Sequence, residues 1–421
     1  GRLQAEDIIL AVAEKDDEPV EITDMRLRDA VRLIRGPKGT EVRLTVRKPD
    51  GTKDIIAISR DVVQIEETFV KYAVLEAQDT KFGYIRIPSF YRDFEKSRLG
   101  QGRKSTKDTR DAILELRNQG IEGIILDLRN NGGGSLVDAV DITGLFIDQG
   151  PVVQVKNSQG MKRVLQDDDA TLVYDGPLVV LVNRFSASAS EIVAAALQDY
   201  RRAIVVGGQH THGKGTVQTI IDLNENIPLL HLRRYDDLGA LKATIQKFYR
   251  IDGGSTQYKG VVPDVILPSL FQNLKSGEQY LDYSLPWDQD EPVKYDSYSD
   301  KVGDLQAIID RSKARIKESA DLLLIEEEAA RAATRSEQTV IELDLDSMRA
   351  KRAEEKQARE KVGAHYSRLE EDDLEDPAVA DELPESPENG PDEDWLSDLA
   401  VDPYVTESEM IINDLVHQLR K

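Results

Sequence analysis

The apolar positions change period several times along the first sixty residues. Asp7-Ile8-Ile9-Leu10-Ala11-Val12 is a near-continuous apolar run and predicts a strand. Leu27, Val31 and Ile34 recur at helical spacing and stop at Arg35-Gly36-Pro37, with glycine where a helix C-terminus accepts it. Glu41-Val42-Arg43-Leu44-Thr45-Val46 alternates with period two, as a half-buried strand does. Lys48-Pro49-Asp50-Gly51 is a turn, and Asp54 to Ile58 a returning strand. Residues 1–63 therefore read as a small strand–helix–hairpin module.

Beyond Tyr72 strands and helices alternate. The apolar runs at Gly83–Ile87, Ile124–Leu128, Leu178–Val182 and Ala203–Val206 are separated by helical patterns near Thr106–Asn118 and Val137–Ile147 and by an Ala-rich helix after Val182. Nearly continuous apolar strands alternating with helices predict an α/β fold around a buried, mostly parallel sheet. We place this core at 64–270. A mostly helical extension follows at 271–368, with a long helical pattern from Asp304 to Thr334, an alternating stretch Val340–Leu345 and a charged helical stretch Met348–Tyr366.

Charge alters the picture at the end of the chain. The net charge is −23, and Leu369–Leu415 holds 18 acidic residues, no Lys or Arg, and five prolines. Such a segment predicts a solvated, Pro-rich tail over 369–421, with a partner-binding or folded-back segment as the alternative, its end docking as a short helix around Met410-Ile411-Ile412, Leu415, Val416 and Leu419. So acidic a chain repels phosphate, which argues against nucleic acid as a ligand. The absence of Cys removes disulfides, thiolate nucleophiles and Cys-ligated zinc. No apolar run approaches the roughly 18 residues of a membrane span. The chain opens at Gly1 without Met and is expected to be a fragment.

Three segments carry candidate chemistry. In Asn183-Arg184-Phe185-Ser186-Ala187-Ser188-Ala189-Ser190-Glu191-Ile192 a strand gives way to a helix, putting hydroxyls beside free backbone N–H groups. Simple helix capping by serine is the plainer reading of that stretch alone. In Asp127-Leu128-Arg129-Asn130-Asn131-Gly132-Gly133-Gly134-Ser135 the glycines allow bare N–H groups to face a ligand as an oxyanion hole, or else form an ordinary turn. In Gly207–Gln218, Gly208, Gly213 and Lys214 nearly match a phosphate-binding loop. Gly215 stands where magnesium needs a hydroxyl, and Val217–Ile221 reads as strand rather than helix, so an NTPase is poorly supported. His210 and His212 form an H-x-H pair without an evident third ligand, so no metal is expected.

Taken together these segments resemble the carboxy-terminal processing proteases, in their tail-specific branch. The resemblance also rests on Ala196–Tyr200, Gln246-Lys247-Phe248-Tyr249-Arg250 and Gly260-Val261-Val262-Pro263-Asp264. It implies a ClpP/crotonase-like serine protease core, with Leu27–Val46 similar to the second half of a PDZ domain. By motif match it implies a Ser188 nucleophile and a Lys214 general base, Gln218 orienting the lysine and Asp199 in support. The oxyanion donors would be the N–H groups of Ala189 and of Gly133 or Gly134. Leu27, Val31 and Ile34 would line a peptide groove, unless that stripe is merely core; the start at Gly1 leaves out the PDZ carboxylate-binding loop. The 208–212 loop is one residue longer than usual, with His212 where an aromatic is common.

The resemblance further implies proteins with exposed C-terminal tails as substrates, no cofactor, and a bacterial periplasmic location at the inner membrane, with room for an adaptor and peripheral membrane association. A dead protease fold acting as a binding scaffold is the alternative, and the presence of both Ser188 and Lys214 argues against it. A lysine is a base only when neutral, and its ordinary pKa of about 10.4 must fall by roughly 3 pH units, some 4 kcal/mol, for work near neutrality. Lys214 is therefore expected to be buried within hydrogen-bond reach of Ser188, with walls from Val205, Val206, Val217 and Val193–Ala196.

Overall fold

The computed structural model describes residues 2–3, 7–49, 51–60, 68–77, 80–93, 102–223, 238–298, 300–337, 339–340, 344–350, 352–353 and 393–420. The chain forms two compact units, Gly1–Ile65 and Glu66–Lys421.

In the first unit, strands β1 (Ile8–Glu14), β2 (Val20–Glu21), β3 (Glu41–Arg47) and β4 (Lys53–Ser59) make an antiparallel sheet in the order β2-β1-β3-β4. Val12, Val42, Leu44, Val46 and Ile56 are its core, and helix α1 (Leu27–Ile34) adds Leu33 and Ile34. Only part of the expected stripe is core: Ile34 packs inward, Val31 is half-buried and Leu27 is 80% exposed. Gly36 is not a left-handed helix cap. Its Cβ would lie 2.7 Å from the Arg60 guanidinium, which donates to the helix-end carbonyls of Leu33 and Ile34 and pairs with Glu14. Arginine thus satisfies the orphan carbonyls, and the glycine makes room for it.

In the second unit the main sheet has the order β14-β11-β10-β7-β6-β5, with β5 Lys71–Ala77, β6 Thr80–Arg86, β7 Gly123–Asp127, β10 Leu178–Val182, β11 Ile204–Gly207 and β14 Val265–Ile266. All run parallel except β5, which pairs antiparallel with β6. Alternate residues face opposite cores. Ile124, Leu126, Val180 and Val205 look towards helices α2 (Ser105–Asn118), α3 (Leu136–Gly144) and α4 (Ala189–Asp199). Ile125, Val179, Leu181 and Val206 look the other way.

A second, antiparallel sheet has the order β12-β13-β8-β9, with β8 Gly150–Asn157, β9 Lys162–Asp167, β12 Thr216–Asp222 and β13 Ala240–Tyr249. Of these strands, only β12 is anticipated by the sequence pattern.

The far face of the main sheet carries the described end of the stretch that the sequence reads as a tail. Helices α5 (Leu305–Glu318), α6 (Ala320–Glu337), α7 (Glu393–Val401) and α8 (Pro403–Leu419) contribute Ile308, Leu322, Trp395, Leu399, Val405, Ile411, Ile412 and Leu415 to its core. The apolar stripe expected around Met410–Leu419 belongs to α8, which at 17 residues begins earlier than the sequence pattern suggests. A Cβ on Gly123 would run into Ile412, so α8 lies directly on β7. The acidic segment before Glu393, half of Val340–Leu345 and most of Met348–Tyr366 lie outside the described residues. Among the described residues no helix is long and apolar enough to cross a membrane.

Candidate active site

Three loops meet at the carboxyl ends of the parallel strands β7, β10 and β11, where open α/β sheets present their ligand sites. After β10 the chain turns sharply at Ser188, whose φ of 57° and ψ of −112° are strained for a residue with a side chain. The glycine segment after β7 lies against this turn. Gly133 has φ 107°, and a Cβ there would come within 2.8 Å of the Ser188 Cβ. Glycine is required twice over, by conformation and by contact.

The hydroxyls of the motif are sorted by what they bond. Ser186 Oγ donates to Leu128 O at 2.8 Å and Ser190 Oγ to Asn131 O at 2.7 Å, both fully buried. These two serines stitch the helix start to the glycine segment. Ser188 is half-buried in a cleft of about 260 Å³, and its hydroxyl donates to no acceptor among the described residues. Of the three, only this one faces open space as a nucleophile must.

Lys214, Gln218, Ala189, Gly132 and Gly134 line the same cleft. Lys214 is half-buried, and its Nζ donates to Gln218 Oε1 at 3.3 Å rather than to Ser188. Burial lowers the Lys214 pKa, Lys242 adds a like-charge push, and Glu278 and Glu191 oppose it. Val217 is a wall as expected, joined by Leu136, Ile192, Ile220 and Phe248. Val205, Val206 and Val193–Ala196 are instead interior residues that do not border the cleft. The N–H groups of Ala189 and Gly134 have no acceptor among the described residues. That of Gly133 is not available as expected, because it donates to Asn131 Oδ1 at 2.9 Å.

The sequence reading assigned no role to Glu191, which ties the loops together. This carboxylate is fully buried. Its Oε2 accepts from Ser188 N at 2.8 Å and Lys214 N at 2.9 Å, and its Oε1 from Gly213 N at 2.7 Å and Thr211 Oγ1 at 2.5 Å. Burial pushes its pKa up to about 7 against the pull of these four donors. The Gly208–Gly215 loop is thereby distinguished from a phosphate loop: the Gly213 and Lys214 amides are occupied by the protein's own carboxylate, and the chain continues into β12. His210 is engaged at both ring nitrogens, by Arg184 Nη1 at 2.7 Å and Thr211 O at 2.6 Å. Among the described residues no three His, Cys, Asp or Glu side chains are grouped to hold a metal.

Asp199 is not brought to the site. It lies at the far end of α4, eleven residues and about 16 Å from Ser188. It pairs there with Arg250, and burial raises its pKa to about 6. Behind the glycine segment, Asp127 holds Arg129 at 2.7 Å and Tyr84 Oη at 2.5 Å, and Arg129 reaches Asp402 at 2.8 Å. This buried network joins the end of β7 to the start of α8. The Asp-x-Arg pair at a strand end was a signal for it, but Asp402 in a presumed tail was not.

Residues 81–267 match the model of peptidase family S41, and residues 271–417 match the C-terminal domain of tail specific protease. The chain belongs to the carboxy-terminal processing proteases, in the tail-specific branch. It is 43% identical over 295 residues to the tail-specific protease of Haemophilus influenzae, covering 70% of this chain and 40% of that protein. It is 35% identical over 254 residues to the carboxy-terminal-processing protease of Bartonella bacilliformis, covering 59% of this chain and 51% of the relative. The chain thus spans about half or less of the length of these relatives. A solved structure, the photosystem II D1 C-terminal processing protease, shares 28% identity over 63% of each chain with a TM-score of 0.41.

Proposed function

We propose that this chain is the catalytic part of a serine endopeptidase that uses a Ser188/Lys214 dyad on proteins chosen by their C-terminal tails. The observation that carries the reading is the shared cleft: the one outward-facing serine of its motif and a lysine with lowered pKa, both fastened to Glu191.

Neutral Lys214 accepts the Ser188 Oγ proton as the oxygen attacks the scissile carbonyl, forming a C–O bond and a tetrahedral oxyanion. The Ala189 N–H and the Gly134 N–H are the donors for that oxyanion. As the C–N bond breaks, the Lys214 ammonium returns its proton to the leaving amine. Water then repeats the sequence on the acyl-enzyme, with Lys214 again as base. Rotation of the lysine from Gln218 Oε1 towards Ser188 completes the dyad, and Gln218 holds the amine in the resting arrangement.

The core belongs to a ClpP/crotonase-like architecture on this reading. The first unit is a PDZ-like module whose helix residues Leu27, Val31 and Ile34 meet the substrate tail; the high exposure of Leu27 suits that role. Periplasmic action at the inner membrane, an adaptor and peripheral membrane association belong to the same proposal. Reaction with a fluorophosphonate tests it. Covalent modification at Ser188, lost in Ser188→Ala and Lys214→Ala, is expected; an unreactive full-length protein would favour the scaffold alternative.

A further inference from the structure

The cleft has a charge opposite to that of the chain around it. The protein carries 78 acidic residues and a net charge of −23, yet the described residues bordering the cleft include two lysines and no Asp or Glu. One lysine, Lys214, must lose its charge to act. The other, Lys242, has no part in the dyad.

Register places Lys242. In the β12–β13 pair it stands opposite Ile220, with Gln218 opposite Thr244 two positions along. Alternate strand residues share a face, so Gln218, Ile220 and Lys242 present to the same side, and that side is the cleft. Gln218 holds Lys214 Nζ, so Lys242 is a diagonal neighbour of the dyad. The other described lysines of this sheet are paired: Lys156 and Lys162 with Asp290 at 2.9 and 3.2 Å, and Lys247 with Asp288 at 2.7 Å. Lys242 makes no ion pair or hydrogen bond among the described residues. An exposed ammonium beside an apolar wall, with no carboxylate among the described residues to meet it, matches a ligand that brings its own.

We infer that Lys242 is a specificity-determining residue which recognises a carboxylate on the bound peptide, and that the cleft favours anionic over neutral or cationic sequences next to the cut. This rests on the peptidase reading and names the substrate chemistry of the same site. A substrate carboxylate paired with Lys214 itself would hold that amine charged and silence it. Lys242 gives the anion a place that leaves the base free, and its repulsion contributes to the lowered Lys214 pKa. The carboxylate is either an Asp or Glu side chain or the peptide's own terminus.

The test uses the full-length protein and quenched peptides that differ only by Glu or Gln at each position flanking the cut, each with a free or amidated C-terminus. Wild type is expected to prefer one Glu peptide by about tenfold in kcat/KM, the worth of one charge-assisted contact. The ratio should fall to about 1 in Lys242→Gln, invert in Lys242→Glu, and shrink as salt is raised. Because the readout is a ratio, any general slowing of the variants cancels. Preference that follows amidation instead assigns the terminal carboxylate. A wild-type ratio of 1 in both arms, or one that survives Lys242→Gln, overturns the proposal. Fluorescence anisotropy of the same peptides on Ser188→Ala measures the preference without turnover. If wild type cleaves nothing, the peptidase reading fails, while the presence or absence of a Lys242-dependent binding preference still decides this one.

Discussion

The backbone amides of Ser188 and Lys214 donate to the same oxygen, Glu191 Oε2, at 2.8 and 2.9 Å. Two residues 26 positions apart are held in register by one buried atom, so the spacing of the proposed dyad depends on a carboxylate that bonds the backbone of both.

Glu191→Gln tests this. The amide keeps the shape but turns an NH₂ towards two of the four donors, so at least one bond is lost. Fluorophosphonate labelling at Ser188 should fall by about 100-fold, the scale of loss for a misplaced reacting group. An unchanged rate would show that the loops are positioned without the carboxylate.

The same carboxyl gives stability a pH dependence of known sign. Its pKa rises from 4.5 to about 7 on folding. Its contribution is therefore fully present below pH 4.5 and lost as pH rises through 7, a span worth about 3 kcal/mol. The Tm difference between wild type and Glu191→Gln should shift in favour of the variant from pH 4.5 to 8. Labelling, which needs the carboxylate to accept its four donors, should run the other way.

Lys214 faces Lys242, Glu278 and Glu191, and its pKa is lowered by burial first and by Lys242 second. Labelling should rise with pH as the amine deprotonates. Removing the Lys242 charge relieves repulsion of the ammonium, so the midpoint in Lys242→Gln should move upward. A midpoint that stays fixed would mean that burial alone sets it. Lys214→Arg, which cannot deprotonate, should lose labelling by at least 10³-fold.

Asp199 separates the structural reading from the motif-based one. Its carboxylate pairs with half-buried Arg250 at the far end of α4. Asp199→Asn should therefore destabilise the fold by about 3 kcal/mol and leave the labelling rate of folded protein within a few-fold of wild type. Wild-type stability with lost labelling would restore the relay.

Asp402→Ala removes a partner of buried Arg129 and the cap of α8, where Asp402 Oδ1 accepts from Tyr404 N at 2.8 Å. The urea midpoint should drop by the equivalent of about 3–5 kcal/mol. Labelling should weaken too, because the far end of the network reaches the glycine segment.

The main sheet was legible because each of its interior strands is apolar on both faces, a pattern that Leu178–Val182 and Ile124–Leu128 carry without ambiguity. The serine and lysine segments were legible as motifs. Strands β8, β9 and β13 were not, because Lys156, Lys162, Lys242 and Lys247 break their apolar runs, and Lys242 was lost with them. Glu191 was visible but unassigned: its part comes from amides 22 and 23 residues away, which no local pattern encodes. Helix α8 was legible only in its second half; its start and its packing on the sheet were hidden by charge, since Glu407 and Asp414 are acids that meet Arg315 on α5 rather than water.

The placement of α8 has a bearing on when the central sheet can be completed. Arg420 at the end of that helix bonds Glu122 at the mouth of β7, 298 positions earlier in the chain. A ribosome must finish nearly the whole of this stretch before one side of the central sheet can be closed. Long-range closure of this kind is slow, so the face of the sheet that α8 covers stays open longest as the unit folds.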